Sequence, residues 1–93
     1  MENVKHKIIS FWLSHFFLRR IAKRYPDFFK KWICDITDNR LERKVVIFRY
    51  YGDDKDEEVL PLKFSAIAIK LHTVERNVYI IHQKFINRLI SGV

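Results

Sequence analysis

Cysteine, glycine and proline are scarce in this chain of 93 residues, and it has no long apolar run. Its single cysteine, Cys34, cannot form an intramolecular disulfide, which excludes a disulfide-stabilised secreted scaffold. Two glycines and two prolines exclude collagen-like and low-complexity chains. The richest apolar run, residues 8–18, covers eleven positions, whereas a membrane-spanning helix needs about twenty. We therefore expect one small, unprocessed cytoplasmic domain, or one domain with an arm.

The residue patterns that support catalysis and metal binding are also missing. The four histidines lie far apart in the sequence and form no His-Glu-x-x-His motif, and one cysteine cannot form Cys-x-x-Cys. Two glycines cannot build a glycine-rich phosphate loop. Cys34 has the apolar neighbours Trp32, Ile33 and Ile36, so we predict a small buried side chain rather than a nucleophile. These absences predict a protein that is not an enzyme and needs no metal or cofactor.

Positive charge dominates the composition, with eighteen Lys and Arg against eleven Asp and Glu and a net charge of +7. Residues 1–52 carry net +7, residues 53–58 net −4 and residues 59–93 net +4. A small domain this basic usually has a negatively charged partner. We interpret the acidic loop 53–58 as a solvated turn after Gly52, with a regulatory or metal-binding role as the alternative.

Apolar residues recur at helical spacing along most of the chain. Pro26 ends one helix, because the residue before proline disfavours helix, and it suits the first turn of the next. Gly52 is a plausible helix C-cap. The pattern predicts an all-α fold of about five helices with a C-terminal helix-turn-helix, although residues 45–47 could also form a strand. The predicted helices cover residues 4–22, 26–36, 40–51, 63–71 and 75–90.

The last two predicted helices have the sequence form of a helix-turn-helix, in which residues 72–74 connect a short helix to a longer one. The short helix holds the long one at a steep angle, so that the long helix can enter a major groove about 12 Å wide. In this interpretation the residues facing the groove are Arg76, Asn77, Ile80, Gln83 and Lys84. Those placed near phosphates are Lys70, Arg43, Arg49 and Arg88.

Two stretches of this region resemble region 4 of bacterial sigma factors and the related helix-turn-helix activators. The first is Ile67-Ala68-Ile69-Lys70-Leu71-His72-Thr73-Val74-Glu75-Arg76-Asn77-Val78, followed by Lys84 and Leu89. The second, residues 41–52, is similar to the helix that precedes this motif. In size the chain most resembles small phage-encoded activators of the ArpU and RinA type. It departs from the pattern at His72, where glycine or a small polar residue is common, and at Thr73-Val74, where the N-cap is displaced or missing.

The resemblance covers residues 40–91, and it implies a DNA-binding transcriptional regulator of phage or mobile-element origin. Its partner would be double-stranded DNA, bound by a domain of residues 37–93. The alternative is a protein-interaction module of the same fold that binds RNA polymerase or a sigma factor without reading DNA.

Residues 1–36 form a separate aromatic-rich segment in this interpretation. Two adjacent apolar rows, at positions 8/12/16 and 9/13/17/21, cover more of its first helix than one small core can bury. We therefore predict that this helix mediates homodimerisation or docks a partner such as RNA polymerase. The residues predicted to bind the partner are Phe11, Trp12, Phe16 and Phe17. A basic amphipathic helix lying on an anionic membrane is a weaker third hypothesis, and no membrane partner is expected.

Overall fold

The structure, a computed structural model, describes residues 2–91, and within that range it contains five helices and no strand. The all-α prediction is confirmed. The strand alternative for residues 45–47 is wrong, because those residues lie within the third helix. No helix in the described range is both long and apolar enough to cross a bilayer. The helices are α1 (Glu2–Trp12, Leu13–Phe17 and Leu18–Arg24 in one continuous course), α2 (Pro26–Ile36), α3 (Arg40–Tyr50), α4 (Phe64–Lys70) and α5 (Glu75–Ser91).

Local signals in the sequence set the helix boundaries. Pro26 is the first residue of α2, where its missing N–H costs no helical hydrogen bond. Asn39 caps α3, since its side-chain oxygen accepts a hydrogen bond from the backbone N–H of Glu42 at 3.0 Å. These residues place the boundary between α1 and α2 and the start of α3 within about two residues of the predicted positions.

Gly52 ends α3 in a conformation that other residues rarely adopt. Its φ is +124°, and a Cβ built on it would lie 2.5 Å from the backbone oxygen of Leu60. The backbone N–H groups of Tyr51 and Gly52 both donate to the carbonyl of Ile47, at 2.8 and 2.9 Å. A side chain at this position would therefore push apart α3 and the chain that returns toward α4.

The middle of α1, Leu13–Phe17, is a π-helical segment, a wider turn that often marks functional sites. Of the two apolar rows predicted for this helix, the row that contains Leu13, Phe17 and Ile21 packs against the core. The other row, at positions 8, 12 and 16, is exposed. One helix therefore presents apolar side chains both to the core and to the surface.

The core consists of two clusters that meet at α3. The larger cluster joins α1, α2, α3 and α5, and the smaller cluster joins α3, α4 and α5. Val45 belongs to the smaller cluster and its neighbour Val46 to the larger, so α3 lies between them. The helices α1 and α2 therefore share the larger cluster with α3 and α5, whereas α4 packs in the smaller one. The buried members of the larger cluster are Leu18, Ala22, Phe29, Ile33, Val46, Tyr50, Phe85 and Ile86. Those of the smaller are Val45, Ile67, Ala68 and Val78.

Helical spacing also predicts inward-facing positions for Leu41 and Phe28, but these two residues and Cys34 lie on the surface. Leu41 is 44% exposed, Phe28 is 58% exposed and Cys34 is exposed. In α2 the buried positions are Phe29 and Ile33, four residues apart, and Cys34 is rotated about 100° from Ile33. The predictions for Phe28 and Cys34 were wrong because each neighbours a buried residue in sequence but lies on a different side of α2. Leu41 is exposed in the first turn of α3, one turn before the buried Val45.

Candidate nucleic-acid interface

The residues predicted to face a DNA groove lie on the outer side of α5. Arg76, Asn77, Ile80 and Lys84 are exposed, and Gln83 is partly exposed. Positions 80, 83 and 84 follow position 76 at intervals of four, seven and eight residues, which places them on one side of a helix. The structure thus brings this set together on one side of α5.

The opposite side of α5 is anchored in the core. Val78 packs in the smaller cluster, and Phe85 and Ile86 pack in the larger. His82 is also buried on this side, between Tyr50 and the ring of Phe64. Because four side chains over about two turns are buried, the rotation of α5 about its own axis is fixed, and so is the set of residues it exposes.

The short helix α4 and the turn after it hold the start of α5. Ile67 and Ala68 of α4 pack against Val78 of α5. His72 follows α4 with a positive φ of 54°, and its N–H donates to Ile69 at 3.2 Å. The N–H of Thr73 donates to the carbonyl of Ala68 at 2.9 Å. This pair of hydrogen bonds is a Schellman motif, in which the left-handed position occupied here by His72 is usually a glycine.

The first turn of α5 has no side-chain cap at its N-cap position. The carbonyl of Val74 accepts from the N–H of Val78 at 3.4 Å, so Val74 is the N-cap, and its side chain has no oxygen. The side-chain amide of Asn77 donates to the hydroxyl of Thr73 at 3.0 Å. This hydrogen bond uses one amide N–H of Asn77, which leaves the second N–H and the side-chain oxygen for a base contact.

Two of the four arginines and lysines predicted to lie near phosphates hold connecting segments in place. The guanidinium of Arg43 donates to the carbonyls of Thr37 at 2.5 Å and Cys34 at 2.8 Å, and so bridges the end of α2 to α3. Arg49 donates to the carbonyl of Leu62 at 3.3 Å and lies over the ring of Phe64. Burial is the main cause of the lowered pKa of Arg49.

The other two residues predicted to lie near phosphates, Lys70 and Arg88, form ion pairs. The ammonium of Lys70 lies 3.1 Å from a carboxylate oxygen of Asp53 and 2.7 Å from one of Asp56, and these contacts raise its pKa, with the hydrogen bond to Asp56 the largest cause. Arg88 lies 3.3 Å from Glu42, whose carboxylate is buried and also accepts from Thr37. All four predicted phosphate-contacting residues thus have partners within the protein.

Exposed lysines that the sequence argument did not select lie near the helix pair. Lys63 is exposed directly before α4, and Lys44 lines a shallow cavity together with Lys70 and Leu71 at the end of α4. Neither lysine forms an ion pair with another residue in the range 2–91. The position of Lys63 at a predicted helix start could have identified it from the sequence as a candidate DNA contact. Lys44 could not have been identified in this way, because its position near the helix pair depends on how α3 packs.

The four residues predicted to bind a protein partner do not share one environment. Phe11, Trp12 and Phe16 are exposed, whereas Phe17 is partly buried against the core and meets Trp32 edge to face at 6.2 Å between ring centroids. Trp12 stacks on Phe17 at 5.1 Å. The structure therefore leaves three of the four available for a partner.

No group of three or more His, Cys, Asp or Glu side chains that could hold a metal ion occurs in the described part of the chain. Comparisons of this chain with protein-family models, with curated proteins and with solved structures found no match.

Proposed function

We propose that this protein binds duplex DNA through the outer side of α5 and regulates transcription. The observation that carries the proposal is the single exposed side of α5, where Arg76, Asn77, Gln83 and Lys84 accompany Ile80. Arg, Asn, Gln and Lys are the side chains that pair with base edges in the major groove. A short helix and a tight turn precede α5, as in helix-turn-helix proteins, whose second helix enters the groove.

The likeness of residues 40–91 to sigma region 4 supports a regulatory role and an origin in a phage or mobile element. A regulator of phage or mobile-element DNA would act in the cytoplasm of its bacterial host, so we also propose a cytoplasmic location. The internal partners of Lys70, Arg43, Arg49 and Arg88 change which residues are assigned to the DNA backbone. We assign the phosphate contacts to the exposed Lys44, Lys63 and Lys84.

A salt titration of DNA binding tests this function. Each neutralised phosphate contributes about −0.9 to the slope of log affinity against log salt, so three contacts predict a slope of about −3. Fluorescence anisotropy with labelled duplexes of random sequence measures this slope from about 50 mM salt upward. Failure to bind duplex DNA at about 50 mM salt would rule out the proposed function.

A second candidate function is favoured by apolar side chains that are exposed around the helix pair. Ile69 of α4, Val74 of the turn and Tyr79 of α5 are all exposed, and Ile69 is 76% exposed. Such a surface suits a protein partner, and RNA polymerase or a sigma factor is the partner that the likeness suggests. Pull-down of purified polymerase in the absence of DNA tests this alternative. Ile69→Ser, which adds no charge, should weaken the interaction and leave DNA binding unchanged.

A further inference from the structure

The outer face of α1 is an apolar surface that the folded chain leaves uncovered. We define this face by the exposed residues Val4, Ile8, Phe11, Trp12 and Phe16. They extend over more than three turns of the same helix whose other apolar row packs into the core. Because α1 is held by that inner row, the outer face has a fixed orientation on the molecule.

Positive charge surrounds this outer face. The exposed Lys5 and Lys7 lie near its beginning. At its other end, a groove of about 660 Å³ is lined by Trp12 and Phe16 together with Arg19, Arg20 and Lys23. Residues 3–26 contain six Lys and Arg and no Asp or Glu. An occupant that complements this face must be both apolar and anionic.

A second copy of the chain does not complement it. An antiparallel pairing of two outer faces would place Lys5 and Lys7 of one copy near Arg19, Arg20 and Lys23 of the other. A parallel pairing would place each cluster of positive charges beside the equivalent cluster of the other chain. Like charges across an interface oppose association, and the single carboxylate of α1, that of Glu2, does not offset six Lys and Arg. The charge pattern therefore disfavours the homodimer that the apolar rows alone suggest.

We propose that the outer face of α1 lies on the surface of an anionic lipid bilayer. Phe11, Trp12 and Phe16 enter the boundary between headgroups and acyl chains, where aromatic side chains are favoured. Arg19, Arg20 and Lys23 contact lipid phosphates. The helix lies parallel to the surface and does not cross the bilayer. This contact involves α1 and is independent of the proposed DNA contact of α5.

Co-sedimentation of the full chain with lipid vesicles tests the proposal. Vesicles of phosphatidylcholine with a quarter phosphatidylglycerol should bind the protein, and vesicles of phosphatidylcholine alone should not. Binding to the anionic vesicles should weaken as salt is raised, because each Lys or Arg contributes through the surface potential. No sedimentation with anionic vesicles at low salt would overturn the proposal.

Matched variants locate the contact on α1. Phe16 and Phe28 are 57% and 58% exposed, but Phe28 lies on α2. Phe16→Ser should weaken vesicle binding about tenfold, the effect of removing one large apolar side chain, and Phe28→Ser should leave it unchanged. Arg20→Gln should weaken it about fivefold, and Lys31→Gln, a change at an exposed lysine of α2, should have less effect. Circular dichroism checks that each variant is folded.

Other outcomes point to other occupants. Equal losses in Phe16→Ser and Phe28→Ser would show that α1 is not the contact and would overturn the proposal. A dimer in light scattering at micromolar concentration that Phe16→Ser dissociates would assign the face to a second copy and also overturn it. The Phe16→Ser variant should keep its DNA affinity. Lipid binding by α1 and DNA binding by α5 can therefore be tested independently.

Discussion

At the scale of single residues, His82 shows how burial determines the charge of a side chain. Its Nε2 is hydrogen-bonded to the hydroxyl of Tyr50, and its ring meets Phe64 edge to face. Its Nδ1 is buried and has no hydrogen-bond partner among the described residues. Burial, with the nearby charge of Arg49 as a smaller cause, lowers the pKa of His82 from 6.5 to about 4. His82 is therefore neutral in the folded protein at pH 7.

We expect His82 to make stability depend on pH. Below pH 6.5 the unfolded chain takes up a proton that the folded chain binds only near pH 4, so stability decreases as the pH falls. At about 1.4 kcal/mol per pKa unit, the loss between pH 7 and pH 4.5 is roughly 2–3 kcal/mol. Urea unfolding at several pH values measures it. His82→Gln should remove most of this pH dependence, and His15→Gln, a change at an exposed histidine, should keep it.

His72 occupies the left-handed position of the turn between α4 and α5, where its Cβ is unfavourable. His72→Gly should therefore stabilise the protein by about 0.5–1 kcal/mol, because relief of the left-handed strain exceeds the entropy cost of glycine. His72→Ala keeps the Cβ and should not stabilise it. Thermal unfolding of both variants provides the measurement. Equal stabilisation by Ala and Gly would show that the imidazole, and not the backbone conformation, is the unfavourable feature.

At the scale of secondary-structure elements, the two ends of the outer side of α5 should have different roles. Arg76 lies in the first turn, where a recognition helix contacts base edges, and Lys84 lies about two turns later. Arg76→Ala should weaken specific binding by about 1–3 kcal/mol and relax sequence preference. Lys84→Ala should weaken binding to all sequences equally and reduce the salt slope by about one.

Binding titrations on a selected target and on random DNA compare these two variants. A matched control is Asn87→Ala, which changes an exposed residue beyond the proposed contact set on the same helix. If Arg76→Ala and Lys84→Ala lose the same affinity on both DNAs, the assignment of base and phosphate contacts along α5 is wrong.

At the scale of the whole molecule, the acidic loop 53–58 connects the two halves of the fold. Asp54 pairs with Lys30 of α2 at 2.7 Å and also accepts from the hydroxyl of Tyr51 at 2.6 Å. Asp53 and Asp56 pair with Lys70 of α4. The hydrogen bond from the backbone N–H of Lys55 and the pairing with Lys70 lower the pKa of Asp53. The loop thus holds a negative charge beside the helix pair.

Release of Lys70 from this loop should strengthen DNA binding. The double variant Asp53→Asn, Asp56→Asn keeps similar side-chain sizes and frees the ammonium for a phosphate, which should steepen the salt slope by about one. The control is the double variant Glu57→Gln, Glu58→Gln. It makes the same change in net charge at exposed residues that do not pair with Lys70. Anisotropy titrations compare the two pairs. Equal slopes would show that net charge, and not the release of Lys70, controls the interaction.

The sequence by itself determined the helices, their order and most of their inner faces. The responsible signals are local: apolar spacing along each helix, Pro26 at the start of α2, Asn39 before α3 and Gly52 after it. Such signals act within one or two helical turns, so they can be read without knowing the packing. Local apolar spacing also indicated the pair of a short and a long helix and the exposed side of α5.

Only the tertiary structure decided which charged and apolar residues remain available for partners. Arg88 pairs with Glu42, 46 residues away, and Lys70 pairs with Asp53, 17 residues away. Both were predicted to contact DNA phosphates, and no local sequence pattern indicates these ion pairs. Likewise, both apolar rows of α1 look alike in the sequence. Packing against α2, α3 and α5 partly buries Leu13, Phe17 and Ile21 of one row, whereas Ile9 of that row and all of the other row stay exposed. Spacing fixes which residues share a helix face, whereas burial and ion pairing depend on which helices come together in space.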